Sequence, residues 1–203
     1  MSVRVIVPPD AIVSPADIAG AHAADDAAVM RMINAATREI EGPSGWLGRS
    51  LGPQTLELSG WFCTRRIRLP FAPIMDIVSV VVEDCDGNKE TADPSTYRLD
   101  GEEVVIAAGA SWVTKPKHLI RYKAGYDGAA VADGGTGPIP DEAKQAIILM
   151  VQHMKSVGAT ENLFLRSEEV EGVGVRQYTV SDQAEALVRR TVDNLLSGLR
   201  IYT

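Results

Sequence analysis

Leu119-Ile120-Arg121-Tyr122-Lys123-Ala124-Gly125-Tyr126 is followed, after a Gly- and Ala-rich loop, by Ile139-Pro140-Asp141-Glu142-Ala143-Lys144-Gln145-Ala146-Ile147-Ile148-Leu149-Met150-Val151. The first run has the β-branched and aromatic composition of a strand. The second opens with a helix start signal, because Pro140 has the fixed φ of a first turn and Asp141 and Glu142 complement the helix dipole. Ala143, Ala146, Ile147, Met150, Val151 and Met154 then recur on one face, and Gly158 closes the helix. A strand, a loop and a firmly started helix, with no catalytic group among them, set the α+β reading.

Upstream, Ser14-Pro15-Ala16-Asp17 starts a short helix, with Ser14 as cap. A longer helix is predicted from Asp25 or Asp26 to Ile40, with Val29, Met32, Ile33, Ala36 and Ile40 as its stripe. Gly42-Pro43-Ser44-Gly45 ends it. From Gln54 to Tyr126 the period changes to that of strands. Gln54–Leu58 alternates, Ile67-Arg68-Leu69 precedes Pro70, and Ile77–Val82 is β-branched. Asp86-Gly87 and Asp100-Gly101 are hairpin-turn dipeptides. Downstream, Asp127–Gly137 has no periodicity and reads as an unstructured loop. Residues 159–176 are mixed, and Gln177–Val180 reads as a short strand. Ser181 or Asp182 caps a third helix striped by Leu187, Val188, Thr191, Val192, Leu195, Leu196 and Leu199. Arg200-Ile201-Tyr202-Thr203 is an apolar tail with nothing left to pack it locally. The expected architecture is a bundle of about three long helices (14–41, 140–158, 182–200) with an inserted antiparallel sheet of five or six strands (54–126). A single domain spans 1–203.

Of the 203 residues, 45% are apolar but only 5% aromatic, so aliphatic side chains must fill the core. The net charge is -7, which repels phosphate backbones and leaves no basic footprint for nucleic acid. Cys63 and Cys85 are too few for a disulfide scaffold. Free thiols are the expectation, with a single bridge as the alternative. The first residues do not form a signal peptide and no run is long enough to span a membrane, so assembly in the cytoplasm is expected.

No motif carries enzyme chemistry. His22, His118 and His153 lie far apart with no partner at a ligand or base spacing. Asp84-Cys85-Asp86-Gly87-Asn88 lacks the third ligand and the closing Glu of a calcium loop, and a hairpin turn explains it. Gly134-Gly135-Thr136-Gly137 lacks the Lys of a phosphate loop, and the acids at the following helix start oppose an anion. Arg65-Arg66 and Arg189-Arg190 are not interleaved with aromatics and read as solvated faces or subunit salt bridges. Glu168, Glu169 and Glu171 read as a solvated loop. No catalytic residue, cofactor site or metal site is expected.

Three blocks in order resemble the head-to-tail connector (adaptor) proteins of tailed bacteriophages, with relatives in prophages and gene transfer agents. The first is Asp26, Ala36, Ile40 and Glu41, then Gly48-Arg49 and Gln54-Thr55. The second is Leu69-Pro70, Pro73-Ile74 and Ile77-Val78-Ser79-Val80, with Tyr97 after a Gly turn. The third is Arg121–Tyr126, then Ile139-Pro140 and Ala143-Lys144-Gln145-Ala146-Ile147. Two departures stand out: His153–Gly158 lacks the Tyr and Asn-Arg often found there, and Ser197-Gly198 replaces a common Pro-Tyr.

The resemblance implies a homo-oligomeric ring of about a dozen copies in the virion neck, each subunit offering two different faces to its neighbours. It further implies a portal protein above, stopper or tail proteins below, and double-stranded DNA passing without specific binding. No membrane partner is implied. Leu195, Leu199, Arg200, Ile201 and Tyr202 are the candidate portal or subunit interface, since aromatic and apolar anchors dominate such contacts. Asp127, Asp133, Glu168, Glu169 and Glu171 are candidates for loops that order on assembly. Two other classes stay open. One is a different phage neck or tail morphogenesis protein, such as a stopper or tail terminator, which three strong helices argue against. The other is a small-molecule-binding or hydrolytic α+β domain, whose sign would be a deep pocket with perturbed acids.

Overall fold

The computed structural model describes residues 1–158, 167–170, 174–177 and 182–201. The fold is α+β. The chain divides into two compact units, one of Met1–Ile12, Arg38–Pro140 and Leu199–Thr203, the other of Val13–Thr37 and Asp141–Gly198.

The first unit holds two antiparallel sheets where a single one was expected. Strands β1 (Ser2–Val7), β2 (Gln54–Gly60), β3 (Arg66–Arg68), β4 (Ile74–Glu83), β5 (Lys89–Thr91), β6 (Tyr97–Asp100), β7 (Glu103–Ile106) and β8 (Lys117–Ala124) occur in chain order. The larger sheet runs β1-β2-β8-β4-β5 and the smaller β3-β7-β6. Asp100-Gly101 turns β6 into β7 as expected, and Asp84 accepts from the N–H groups of Asp86 and Asn88 in the turn before β5. That turn explains the acids of the apparent calcium loop. Alternate residues supply one core: Leu56, Leu58, Val80, Val82, Ile120 and Tyr122 from the large sheet, with Ile67, Val104 and Ile106 from the small one and Leu69 just past β3. β1 is an addition to the sequence reading. Its pairing with β2 joins Val5 to Leu56 and Val3 to Leu58, more than 50 residues on.

The second unit is helical, with α1 (Ala27–Ile40) entering it and α2 (Asp141–Gly158) packed on α3 (Asp182–Leu196). Asp26 caps α1 by accepting from Ala28 and Val29 at 2.7 and 3.2 Å. Val29, Ile33, Ala36, Ala143, Ala146, Ile147, Val151, Val192 and Leu196 are buried. The expected α3 stripe is too wide. Leu187 is 66% exposed and Thr191 is exposed, while Val192 and Leu196 are buried. One residue is about 100° around a helix, so the seam that selects Val188, Val192 and Leu196 turns 187 and 191 toward solvent. Thr191 satisfies its hydroxyl on the Leu187 carbonyl.

Glu168 and Glu169 belong to a strand, β9 (Ser167–Val170), paired with β10 (Gly174–Gln177), and not to a loop. The expected strand Gln177–Val180 overlaps β10 only at Gln177; its remainder, with Glu171, Ser181 and Tyr202, lies outside the described residues.

Candidate functional site

Residues from the three sequence blocks meet in the sheet unit. Glu41, just past the end of α1, is buried, and its Oε2 accepts the backbone N–H groups of Leu51 and Gly52 at 2.7 and 3.1 Å. Leu51 in turn accepts the N–H of Tyr126 through its carbonyl. Arg49 donates from Nη1 to the Tyr126 hydroxyl at 3.0 Å and from Nε to the Leu199 carbonyl at 2.9 Å. The motif glycine Gly125 takes φ +123 where its backbone lies against Gly52, and a Cβ there would collide with the Gly52 carbonyl. These contacts convert the motif Glu41, Gly48-Arg49 and Ala124-Gly125-Tyr126 into one hydrogen-bonded junction. It fixes the chain leaving α1 to the end of β8.

Leu199, Arg200 and Ile201 meet that junction. Ile201 donates its N–H to the Leu47 carbonyl at 2.9 Å, and the Arg200 guanidinium lies 5.3 Å from the Trp46 ring centroid. Gly48, at φ +70, leaves no room for a Cβ beside the Ile201 carbonyl. The tail expected to lack local packing is therefore tied by its backbone to residues 46–49. The reason is non-local: the partners are the Leu47 carbonyl and the Arg49 guanidinium, about 150 residues earlier, which no periodicity reveals. Leu195, Leu199 and Ile201 keep part of their surface exposed, and Arg200 is exposed.

The loop read as unstructured is internally ordered. Asp127 Oδ1 accepts the N–H groups of Ala129 and Thr136, both at 3.0 Å, and Thr136 Oγ1 donates to the Gly125 carbonyl. Gly128 and Gly137 close it by backbone hydrogen bonds. These N–H groups hold the Asp127 carboxyl below the usual carboxylate range. Asp127 thus organises its own loop, whereas Asp133 stands exposed in a short turn within it.

Several buried groups are electrostatically perturbed, Tyr122 among them, whose phenol burial raises. Burial pushes the Glu41 carboxyl up, against the pull of the two N–H groups. Burial likewise pulls the imidazole of His118 down; the ring sits between Phe62 and Trp112, with centroids 5.9 Å away on each side. On the large sheet, burial alone would raise the Glu57 carboxyl, but Arg121 and Arg4 outweigh it and hold Glu57 low.

An apolar depression of about 350 Å³ beside the tail is lined by Gly48, Phe62, Leu69, Phe71 and Ile201, among others. Its charged rim is already paired, Arg68 with Glu102 and Arg66 with Glu103 and Asp100. The perturbed Glu41 does not line it, so it lacks the mark of a small-molecule site. Cys63 and Cys85 are both exposed free thiols. Among the described residues, no three His, Cys, Asp or Glu side chains gather to hold a metal, and no helix is long and apolar enough to cross a membrane.

No family model and no curated protein sequence matches the chain. Solved structures do. The chain is similar over 100% of its length, and 97% of the other chain, to a chain in the neck of an empty gene transfer agent particle computed with C6 symmetry. The TM-score is 0.63 at 17% identity. The neck of the native particle computed with C12 symmetry and the native virion match at the same coverage and identity, with TM-scores of 0.61 and 0.62. The protein thus has the fold of a gene transfer agent neck protein, in line with the connector resemblance of its three sequence blocks.

Proposed function

We propose that this chain is a structural, non-enzymatic subunit of the neck of a tailed phage or gene transfer agent particle. It forms a homo-oligomeric ring of about twelve copies, a number taken from the C12 neck whose chain it matches. The ring lies beneath the portal, extends the DNA channel and presents the surface to which stopper or tail proteins attach. The observation that carries this reading is end-to-end agreement of the fold with neck chains. The net charge of -7 supports it, because an acidic wall lets duplex DNA pass without being held. The whole chain acts as one connector domain.

The half-exposed Leu195, Leu199 and Ile201, with Arg200 and Tyr202, are the proposed portal-facing residues. Asp133 and the acids Glu168, Glu169 and Glu171 are the proposed assembly contacts. The experiment is removal of the chain from particle production. DNA-containing heads without tails support the reading; complete particles formed without the chain overturn it.

A further inference from the structure

We propose that the free edge of the five-stranded sheet, strand β1, accepts the β9–β10 hairpin of a neighbouring copy as added strands. This deepens the ring reading and rests on it.

The two edges of that sheet differ. β5 is three exposed residues, Lys89-Glu90-Thr91, a short and charged edge of the kind that discourages pairing. β1 is six residues, Ser2-Val3-Arg4-Val5-Ile6-Val7, four of them apolar, and it pairs on one side only among the described residues. Val5 and Val7 stay 42% and 54% exposed. An edge of this length and composition is a ready template for another strand. Beyond the start of β1, Trp61 is 73% exposed and lines an open depression with Met1, Ser59 and Lys117. An exposed tryptophan is a common anchor of protein contacts.

The occupant follows from the rest of the chain. β9 and β10 form a two-stranded sheet of four residues each, paired only with one another among the described residues. Such a pair is marginal in water until a third strand joins it. Its sequence, Ser167–Gln177, carries Glu168, Glu169 and Glu171 against a single Arg176. β1 carries Arg4, whose side chain remains 69% exposed while bonded to Glu57. An acidic hairpin and a valine-rich edge whose one charged residue is the exposed Arg4 are complementary. Giving a hairpin to one neighbour and receiving one from another is a head-to-tail contact, the kind that builds a ring when its rotation closes.

The test places the photo-crosslinker benzoylphenylalanine at Val5 and, separately, at Val7. Full-length protein is illuminated in assembled rings containing isotopically light and heavy copies, and adducts are mapped by mass spectrometry. The expected result is adducts to Ser167–Gln177 in mixed light–heavy pairs. Adducts within one copy, to another protein, or to a different segment overturn the proposal. Glu168→Arg with Glu169→Arg should lower ring yield about tenfold with the melting temperature of the free chain unchanged; an undiminished yield also overturns it. Rings that assemble from the Val5- or Val7-labelled chain but give no hairpin adduct defeat the strand addition and leave the ring standing. A wild-type chain that never assembles, even with the neighbouring particle proteins, defeats the ring itself.

Discussion

Ile201 donates its backbone N–H to the carbonyl of Leu47 across 2.9 Å, bringing residue 201 onto the loop that follows α1. Arg200 over Trp46 and the Arg49–Leu199 hydrogen bond flank that contact. Deleting Arg200–Thr203 removes the backbone bond and the cation–π contact. The expected cost is about 2 kcal/mol, or roughly 4–8 °C in melting temperature for a chain of this size. Calorimetry on the truncated protein checks it, and an unchanged melting temperature would show that the segment contributes nothing to the isolated fold.

Glu41 offers a test with a sign. Glu41→Ala leaves the buried N–H groups of Leu51 and Gly52 without their acceptor and should cost about 2–4 kcal/mol. Glu41→Gln keeps an acceptor oxygen and should cost less than about 1 kcal/mol. Burial raises the folded pKa of Glu41 above its ordinary 4.5, so the native state takes up the proton first. Its contribution to stability therefore grows as pH falls from the folded pKa toward 4.5, and Glu41→Gln should lack this gain. Urea titrations of both proteins across that window check the slope.

His118 titrates in the opposite sense. Its folded pKa lies below the ordinary 6.5, so the unfolded chain binds the proton first and stability falls as pH drops through 6.5. The loss is at most about 1.4 kcal/mol per pH unit for one proton. His118→Phe, which keeps a ring between Phe62 and Trp112, should flatten the dependence between pH 7 and 5. An identical slope in the variant would show that His118 does not set this pH dependence.

The residues explain what was legible. α1 and α2 begin and end close to where Asp26, Pro140 and Gly158 place them, because caps and stripes are local signals. The strands around Asp100-Gly101 were equally readable from the turn. What escaped was non-local. β1 owes its existence to β2, far along the chain, and the split into two sheets depends on which strands share a face. The order in the Asp127 loop comes from one carboxylate and one threonine that composition hides among glycines and alanines. The motif residues Glu41, Arg49 and Tyr126 were recognisable by family resemblance, but nothing in their spacing announced that they would form one junction holding Leu199.

The helical seam gives a paired prediction. Ile147 is fully buried, and Ile147→Ala should cost about 2–5 kcal/mol. Leu187 shares the stripe in sequence yet is 66% exposed, so Leu187→Ala should stay within about 0.5 kcal/mol. Denaturant melts of the two variants side by side check the corrected face; equal costs would restore the wider stripe.

Cryo-electron microscopy of the particle that carries this chain decides whether it builds the proposed neck ring. A closed ring of about twelve copies between portal and tail is expected, each copy fitting both the sheet unit and the helical unit. Density for the chain elsewhere in the particle, or a neck complete without it, would overturn the proposed role.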